Sequence, residues 1–237
     1  MEFPTPLIPG RLLRRYKRFL ADIELESGDV VTAHCPNPGA MLGLKDPGLR
    51  VWVEKNEDPR KKLKYGWRLA ELENGHWVGI DTGVPNKVVG AALRAREIAE
   101  FQDYPNVRAE VAYGEKSRVD FLLSCAGKPD LYLEIKNVHL CRSQSLAEFP
   151  DSVTARGARH LDDLAEMVAQ GQRAAMFYFV QRTDCDRFSL ADDIDPKYAA
   201  AFDCAVAAGV EIFAYATRIS PSGVVLDRPI EVATGET

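Results

Sequence analysis

The sequence predicts a two-part chain of mixed α+β and α/β class: a small β-barrel over residues 1–83, then an α/β domain built on a mixed sheet over residues 84–237. Two observations predict it. Residues 16–82 break into short strand-like runs separated by turn signals. Beyond residue 84, helical periodicity alternates with continuous apolar runs, as in a sheet covered on both faces. At 237 residues and 46% apolar, the chain can bury a sizeable core, so one large domain or two small ones are allowed.

The first strand-like run, Lys17–Leu25, alternates through Phe19, Ala21, Ile23 and Leu25. Val30–Cys35, Leu49–Glu54, Arg68–Leu72 and Trp77–Asp81 follow. Ser27-Gly28-Asp29, Pro36-Asn37-Pro38-Gly39, Asp46-Pro47-Gly48 and Glu73-Asn74-Gly75 divide them. Short strands with this basic content suggest a barrel of the OB type. Such barrels bind oligonucleotides through basic and aromatic side chains; Tyr16, Phe19, Trp52, Tyr65, Trp67 and Trp77 are available. Thr82-Gly83-Val84-Pro85 reads as a linker. Asn86 is expected to cap a helix reaching to about Phe101. Strands are expected at Val107–Tyr113, Arg118–Ser124 and Leu131–Val138, then a helix at Ser152–Gln170 and an apolar strand at Ala174–Gln181. A helix at Pro196–Ala208, Gly209 at its C′ position, a strand at Val210–Thr217 and a hairpin over Ile219–Val232 complete the chain.

Net charge is −5, which alone argues against a nucleic-acid partner, but the distribution argues otherwise. Residues 1–82 hold 13 Lys/Arg against 12 Asp/Glu, while residues 83–237 hold 17 against 23. The positive charge clumps at Arg11, Arg14, Arg15, Lys17 and Arg18, and again at Arg60, Lys61, Lys62, Lys64 and Arg68. Such clusters can neutralise backbone phosphates; a solvated surface is the competing account of each. No apolar run is long enough to span a membrane, and the N-terminus lacks the layout of a signal peptide. Five scattered cysteines without a C-x-x-C point away from a disulfide framework or zinc site and fit a reducing, cytoplasmic setting.

The chemistry concentrates in Arg118-Val119-Asp120-Phe121-Leu122-Leu123 and Leu131-Tyr132-Leu133-Glu134-Ile135-Lys136. Gly127-Lys128-Pro129-Asp130 is a strong turn signal. A hairpin centred on Gly127 sets Asp120 across from Glu134, with Cβ atoms about 5 Å apart. Like charges so placed on apolar strands are destabilising, and a shared cation is the simplest reason for them. Lys136 lies two residues past Glu134 and so on the same face, about 7 Å away. Two carboxylates and the Ile135 carbonyl make an all-oxygen site suited to Mg²⁺ or Mn²⁺. The metal would polarise a phosphate and lower the pKa of a water, with Lys136 orienting that water or stabilising developing charge. A one-residue slip would send Asp120 to the other face. Asp130, about 13 Å along the strand from Glu134, is a turn residue instead.

A helix, a three-strand meander, an Asp, an E-x-K and a further helix resemble the PD-(D/E)XK nuclease core, although Arg118-Val119 precede the Asp with no Pro. A closer resemblance spans nearly the whole chain. Gly10-Arg11-Leu12, Arg18-Phe19-Leu20-Ala21-Asp22, Cys35-Pro36-Asn37-Pro38-Gly39-Ala40-Met41, Arg60-Lys61, Ser117-Arg118-Val119-Asp120-Phe121, Glu134-Ile135-Lys136-Asn137-Val138 and the run Phe149–Leu161 stand in order. Together they resemble the sugar fermentation stimulation protein A family. That resemblance implies an OB-like domain, a nuclease-like domain, DNA binding, and a role in regulating sugar (maltose) utilisation genes. Nucleases of this fold often add an acid from the first helix; Glu97 and Glu100 are available, and Glu100 matches the pattern better. Arg156 and His160, spaced i, i+4, are candidates for phosphate contact beside a helix N-terminus, with a structural role for His160 as the alternative. Arg18 and Asn37 are the expected non-catalytic DNA contacts, joined by Arg11, Arg60 and Lys61. His34, His76 and His139 show no partner in sequence.

Three functions compete on these grounds. The leading one is a DNA-binding, metal-dependent nuclease. The second is a non-catalytic DNA-binding regulator on the same scaffold. The third, a sugar- or metabolite-binding protein, is disfavoured by the basic clusters. No helix-turn-helix with a basic second helix is evident, so salt-sensitive backbone binding is expected rather than major-groove reading. Oligomeric state is open.

Overall fold

A computed structural model describes residues 1–114 and 117–233. The N-terminal part has six strands: β1 (Leu7–Tyr16), β2 (Leu20–Leu25), β3 (Val30–His34), β4 (Arg50–Lys55), β5 (Tyr65–Glu71) and β6 (Trp77–Gly79). The order is β3-β2-β1-β4-β5-β6, and β3 returns to β5 through Ala33–Tyr65 and His34–Gly66, closing a five-stranded barrel with β6 appended. Leu12, Ile23, Val51, Val53, Trp67 and Ala70 fill it, all fully buried.

Strand β1 is an addition to the sequence-based expectation. Its basic residues hid it, and a register shift between Leu12 and Arg14 breaks the alternation that would have revealed it. Gly10 lets it lie close to β2: a Cβ there would meet the Glu24 carbonyl oxygen at 2.6 Å. The β1–β2 hairpin turns on Lys17 (φ 49) and Arg18 (φ 63). Positive φ at both positions is the left-handed region, which Asn and Gly adopt more readily. The turn presents Lys17, Arg18 and Phe19 to solvent.

The second part comprises α1 (Val84–Ala95), a 3-10 turn at Ala99–Phe101, β7 (Asn106–Tyr113), β8 (Ser117–Ser124), β9 (Leu131–Val138), β10 (Leu140–Ser143), β11 (Leu146–Phe149), α2 (Ala155–Ala169), β12 (Arg173–Val180), β13 (Arg187–Leu190), α3 (Pro196–Ala208), β14 (Glu211–Ser220), β15 (Gly223–Pro229) and β16 (Glu231–Val232). The main sheet runs β15-β14-β12-β9-β8-β7, parallel through β14, β12 and β9 and antiparallel at both ends. Helix α1 covers one face, over Phe121, Leu133, Ile135 and Phe177. Helices α2 and α3 cover the other, over Leu122, Met176 and Tyr178. This burial explains why Ala174–Val180 reads as one apolar run. Gly209 ends α3 at φ 100, in the expected left-handed C-cap.

The sequence-based reading missed a small sheet, β10-β11-β13-β16. Its strands have four residues or fewer, too short to show a period. Helix α1 is also shorter than expected. It stops at Ala95, where Arg96 turns left-handed at φ 58, and it opens on Gly83 with no side-chain cap. No helix among the described residues is long and apolar enough to cross a membrane.

The two parts are tied along one seam. Val78 bridges Arg182, the Gly79 amide donates to the Gln181 carbonyl at 2.9 Å, and the Thr183 amide donates to the Trp77 carbonyl at 3.0 Å. The chain's first residues also cross over: the Phe3 amide donates to the Ser222 carbonyl and the Val224 amide to that of Met1. At Gly79 a Cβ would lie 2.2 Å from Nε2 of the fully buried Gln181. Gly79→Ala is therefore expected to destabilise the protein by about 1–3 kcal/mol through overpacking. A urea unfolding curve checks this, and an unchanged midpoint would contradict the close approach.

Candidate functional site

Strands β8 and β9 pair in the expected register, with Phe121 opposite Leu133, Leu122 opposite Tyr132 and Leu123 opposite Leu131. One step further, Asp120 and Glu134 would face each other, and there the ladder stops. The Ile135 amide donates to Asp120 Oδ2 at 2.7 Å instead of to a strand partner. On the other side, the β7–β8 pairing skips Glu110 and Asp120, and Glu110 has φ 54. Asp120 thus sits where the sheet parts. Within a strand, the amide and carbonyl of one residue point to the same side, so the Ile135 carbonyl faces the gap that Asp120 occupies.

Helix α1 contributes Asn86, but not as the expected cap. Its Nδ2 donates to Asp120 Oδ1 at 2.7 Å, which leaves both oxygens of Asp120 oriented by donors. Glu134 is almost fully buried, and two groups meet at its Oε1. Lys136 Nζ donates to it at 2.7 Å, and His160 Nδ1 makes a second, short bond. Arg156 Nε donates to His160 Nε2 at 3.2 Å. A guanidinium only donates, so Nε2 is the acceptor and Nδ1 carries the proton given to Glu134. Lys136 Nζ lies 3.2 Å from His160 Nδ1; both are donors in this tautomer, so that contact is a juxtaposition around one oxygen. Glu134 Oε2 has no partner, nor has the buried Tyr113 hydroxyl.

The charges are unequal in consequence. Burial, and then the negative charge of Glu134, push Asp120 up to about 6, against the pull of the Ile135 amide, Asn86 and Lys136. Burial also pushes Glu134 up, but the hydrogen bond from His160 and the charge and hydrogen bond of Lys136 outweigh it and hold the carboxyl below its ordinary value. Burial, and then the charges of Glu134, Asp163 and Asp120, raise the Tyr113 hydroxyl. A hard divalent cation fits this arrangement. It would satisfy the orphaned Glu134 Oε2 and relieve the strained ionisation of Asp120, and every donor is oxygen. Two carboxylates and a carbonyl are an incomplete shell, of the kind Mg²⁺ completes with water and substrate phosphates.

Other predicted residues fall elsewhere. Glu100 does not join the site. It lies past the end of α1, on the 3-10 turn, and its Oε2 accepts from Tyr215 Oη at 2.6 Å. Tyr215 belongs to β14, three strand spacings from β8 or about 14 Å. Glu97 also follows the helix end. His160 is not a surface phosphate contact: it is 4% exposed and bonded to Glu134. Asn37 is likewise no surface contact. It is 1% exposed, and its Oδ1 accepts the Gly39 amide at 2.8 Å.

The loop that Asn37 shapes is held by Arg15 Nη2 on the Asn37 and Gly39 carbonyls. It reaches the second part where the Met41 amide donates to Asp151 Oδ2 at 2.9 Å. His139, without a partner in sequence, bonds the same Asp151 oxygen at 3.1 Å. Arg11, Arg18, Arg60 and Lys61 are exposed, though Arg11 bonds the Gly48 carbonyl and Arg60 pairs with Asp58. Trp67 belongs to the barrel core, while Trp52 and Trp77 pack edge to face against each other. Sequence reasoning missed Arg118 and Arg159, which line a cleft of about 230 Å³ with Arg156 and His160 beside the acidic pair.

The fold and site together define a class: an OB barrel joined to a mixed-sheet α/β domain with a half-buried and a buried carboxylate where two strands part. Two family models match in turn: the SfsA N-terminal OB domain over residues 13–80, and the sugar fermentation stimulation protein RE domain over residues 83–223. The chain belongs to the sugar fermentation stimulation protein (SfsA) family. It is 62% identical to a sugar fermentation stimulation protein homolog of Dinoroseobacter shibae, over 98% of this chain and 96% of that one. Against the homolog of Ruegeria pomeroyi it is 61% identical, over 94% and 97%. A solved structure of Pyrococcus furiosus SfsA in complex with Ca²⁺ superposes with a TM-score of 0.88 at 26% identity, covering 99% of this chain and 98% of that one.

Asp151 yields a pH prediction. Burial raises its carboxyl, but His139 and the Met41 amide outweigh that and bring it down to about 2. A depressed folded value adds stability that is complete above the unfolded value near 3.8 and lost as pH falls towards 2. Asp151→Asn is expected to cost on the order of 2 kcal/mol at pH 5–6, with the gap to wild type closing between pH 4 and 2. Urea unfolding across that range checks it; a gap that does not vary with pH would contradict the assignment.

Proposed function

We propose that the chain is a DNA-binding, metal-dependent phosphodiesterase whose centre is Asp120, Glu134 and Lys136. The observation that carries this reading is the parting of β8 from β9 at a half-buried and a buried carboxylate, the second with an oxygen left unpartnered. Asp120, Glu134 and the Ile135 carbonyl would hold Mg²⁺ or Mn²⁺, which supplies phosphate polarisation and a more acidic water when bound. The Ca²⁺ complex of the Pyrococcus furiosus relative supports a hard-cation site.

The remaining work falls to side chains. Glu134 Oε1 fixes the Lys136 ammonium at the edge of the site, where it stabilises negative charge developing on the phosphate. Arg156 locks the His160 ring, and through it the Glu134 carboxylate. Arg118, Arg156 and Arg159 meet the nucleic-acid backbone at the adjacent cleft. The exposed Lys17, Arg18 and Phe19 hairpin tip offers charge and an aromatic face on the barrel. Free cysteines among the described residues suit a cytoplasmic setting, and the family's name supports a link to sugar use, with maltose utilisation genes as the proposed target.

The second reading, a DNA-binding regulator without cleavage, draws on Lys136, which offsets the Glu134 charge without an ion, and on the His160 hydrogen bond to the same oxygen. Cleavage of single-stranded, duplex and branched DNA in Mn²⁺ separates the two. Wild type is expected to cut at least one substrate, and Glu134→Ala and Lys136→Ala to lose about 10²-fold or more while still binding DNA. No cleavage by wild type in any divalent metal, with undiminished DNA binding, selects the regulator. Arg159→Gln is expected to weaken binding evenly across sequences and to flatten the salt dependence by about one unit of slope, measured by fluorescence anisotropy. An unchanged slope would remove Arg159 from the interface.

A further inference from the structure

Away from the acidic pair, a second cluster sits beside the seam. Cys141 lies on β10, and Cys185 in the loop between β12 and β13. Their sulfurs and a carboxylate oxygen of Asp184 all lie within 4.8 Å of one another, a grouping that the linear sequence, with no C-x-x-C, did not announce. Cys141 is half-buried on the wall of an open cleft of about 390 Å³, which His76, Arg142 and Arg182 also line. Cys185 is 6% exposed. Its Sγ donates to Asp184 Oδ1 at 3.7 Å, and Cys141 Sγ donates to the Ser143 carbonyl at 3.1 Å.

Two chemistries suit two sulfurs and a carboxylate: a thiophilic metal or a disulfide. Arg182 decides between them. Its Nε and Nη2 bond both oxygens of Asp184, at 2.6 and 2.7 Å, and its Nη1 bonds the His139 carbonyl at 2.6 Å. A divalent ion here would face a fixed guanidinium and a carboxylate already neutralised by it. The same cation favours a thiolate. The nearby Cys185 thiol, together with the Arg182 charge, brings Cys141 down to about 7 against burial, while the proximity of Cys141 and burial raise Cys185.

We propose that Cys141 and Cys185 form a thiol–disulfide site, in which Cys141 is the nucleophile that a small peroxide reaches through the cleft and Cys185 is the resolving thiol. The Cys141 thiolate attacks one peroxide oxygen, the O–O bond breaks and hydroxide leaves, so sulfur gives up two electrons and becomes a sulfenic acid. The Cys185 sulfur then attacks the Cys141 sulfur. The S–O bond breaks, and the hydroxyl departs with the Cys185 proton as water. Side-chain rotation brings the sulfurs to the roughly 2.05 Å of a disulfide. The bond would tie β10, which follows the catalytic strand β9 after His139, to the loop that pairs with Trp77 and Val78 of the barrel. Transient disulfides of this kind occur in reducing compartments as redox-responsive sites.

Reduced full-length protein, held in chelator, is treated with equimolar hydrogen peroxide and mapped without reduction by mass spectrometry. Wild type is expected to remain monomeric on a non-reducing gel, to lose about 2 Da, and to yield a peptide pair cross-linked through Cys141 and Cys185. Cys185→Ser should give a Cys141 sulfenic acid that dimedone traps, and Cys141→Ser neither product. Oxidation confined to Cys125 or Cys204, with Cys141 and Cys185 still alkylated, would overturn the proposal. So would stoichiometric Zn²⁺ uptake by the reduced protein that shields both thiols and is lost in Cys141→Ser, since that assigns the pair to a metal.

Discussion

One backbone amide organises the functional half of this molecule. The Ile135 N–H would ordinarily continue the β8–β9 ladder; it donates instead to the side chain of Asp120. That substitution opens the sheet at one point and leaves the rest of the ladder, Phe121 to Leu123, intact. It turns a carboxylate edge-on into the gap, brings the Ile135 carbonyl to the same side, and sets Glu134 where its charge is felt by Asp120. Burying two acids so close is costly. The surroundings offset part of that with Asn86 on one acid and Lys136 and His160 on the other. What they leave unmet is the second oxygen of Glu134, where the proposed cation would bind.

The barrel is fastened to this machinery through short polar contacts and a strip of backbone pairing. Asp151 is the joint of the first: it receives the Met41 amide from the barrel and His139 from the segment that follows β9. The strip from Val78 to Arg182 is the second, and Arg182 also grips the His139 carbonyl. The same few residues thus fix the barrel, the end of strand β9 and the thiol pair relative to one another. A change in the thiol pair acts on the frame that holds both domains, without touching the acidic site directly.

Much of this was legible in the sequence, because local rules happened to govern it. A strong turn at Gly127 fixed the hairpin centre, and period-two alternation then placed Asp120, Glu134 and Lys136 together. Pro196 and Gly209 bracketed α3. Where tertiary contact overrides local pattern, the reading failed. Asn86 looks like a helix cap but is drawn to Asp120 on another element. Glu100 has the right chemistry, but the helix that would carry it ends at Ala95 and delivers it to Tyr215. Asn37 looks like a loop contact and is instead the loop's own internal brace. The Cys141–Cys185 approach joins segments separated by α2 and β12, and no local spacing encodes it.

If the parted strands form one hard-cation site, direct binding reveals it independently of any reaction. Mn²⁺ titrated into the full-length protein, with free ion followed by electron paramagnetic resonance, should fill a single site per chain in wild type. Asp120→Asn and Glu134→Gln should each lose that site, while Asp184→Asn should keep it. Saturable binding that survives both substitutions, or that disappears only in Asp184→Asn, would contradict the account and place the ion elsewhere.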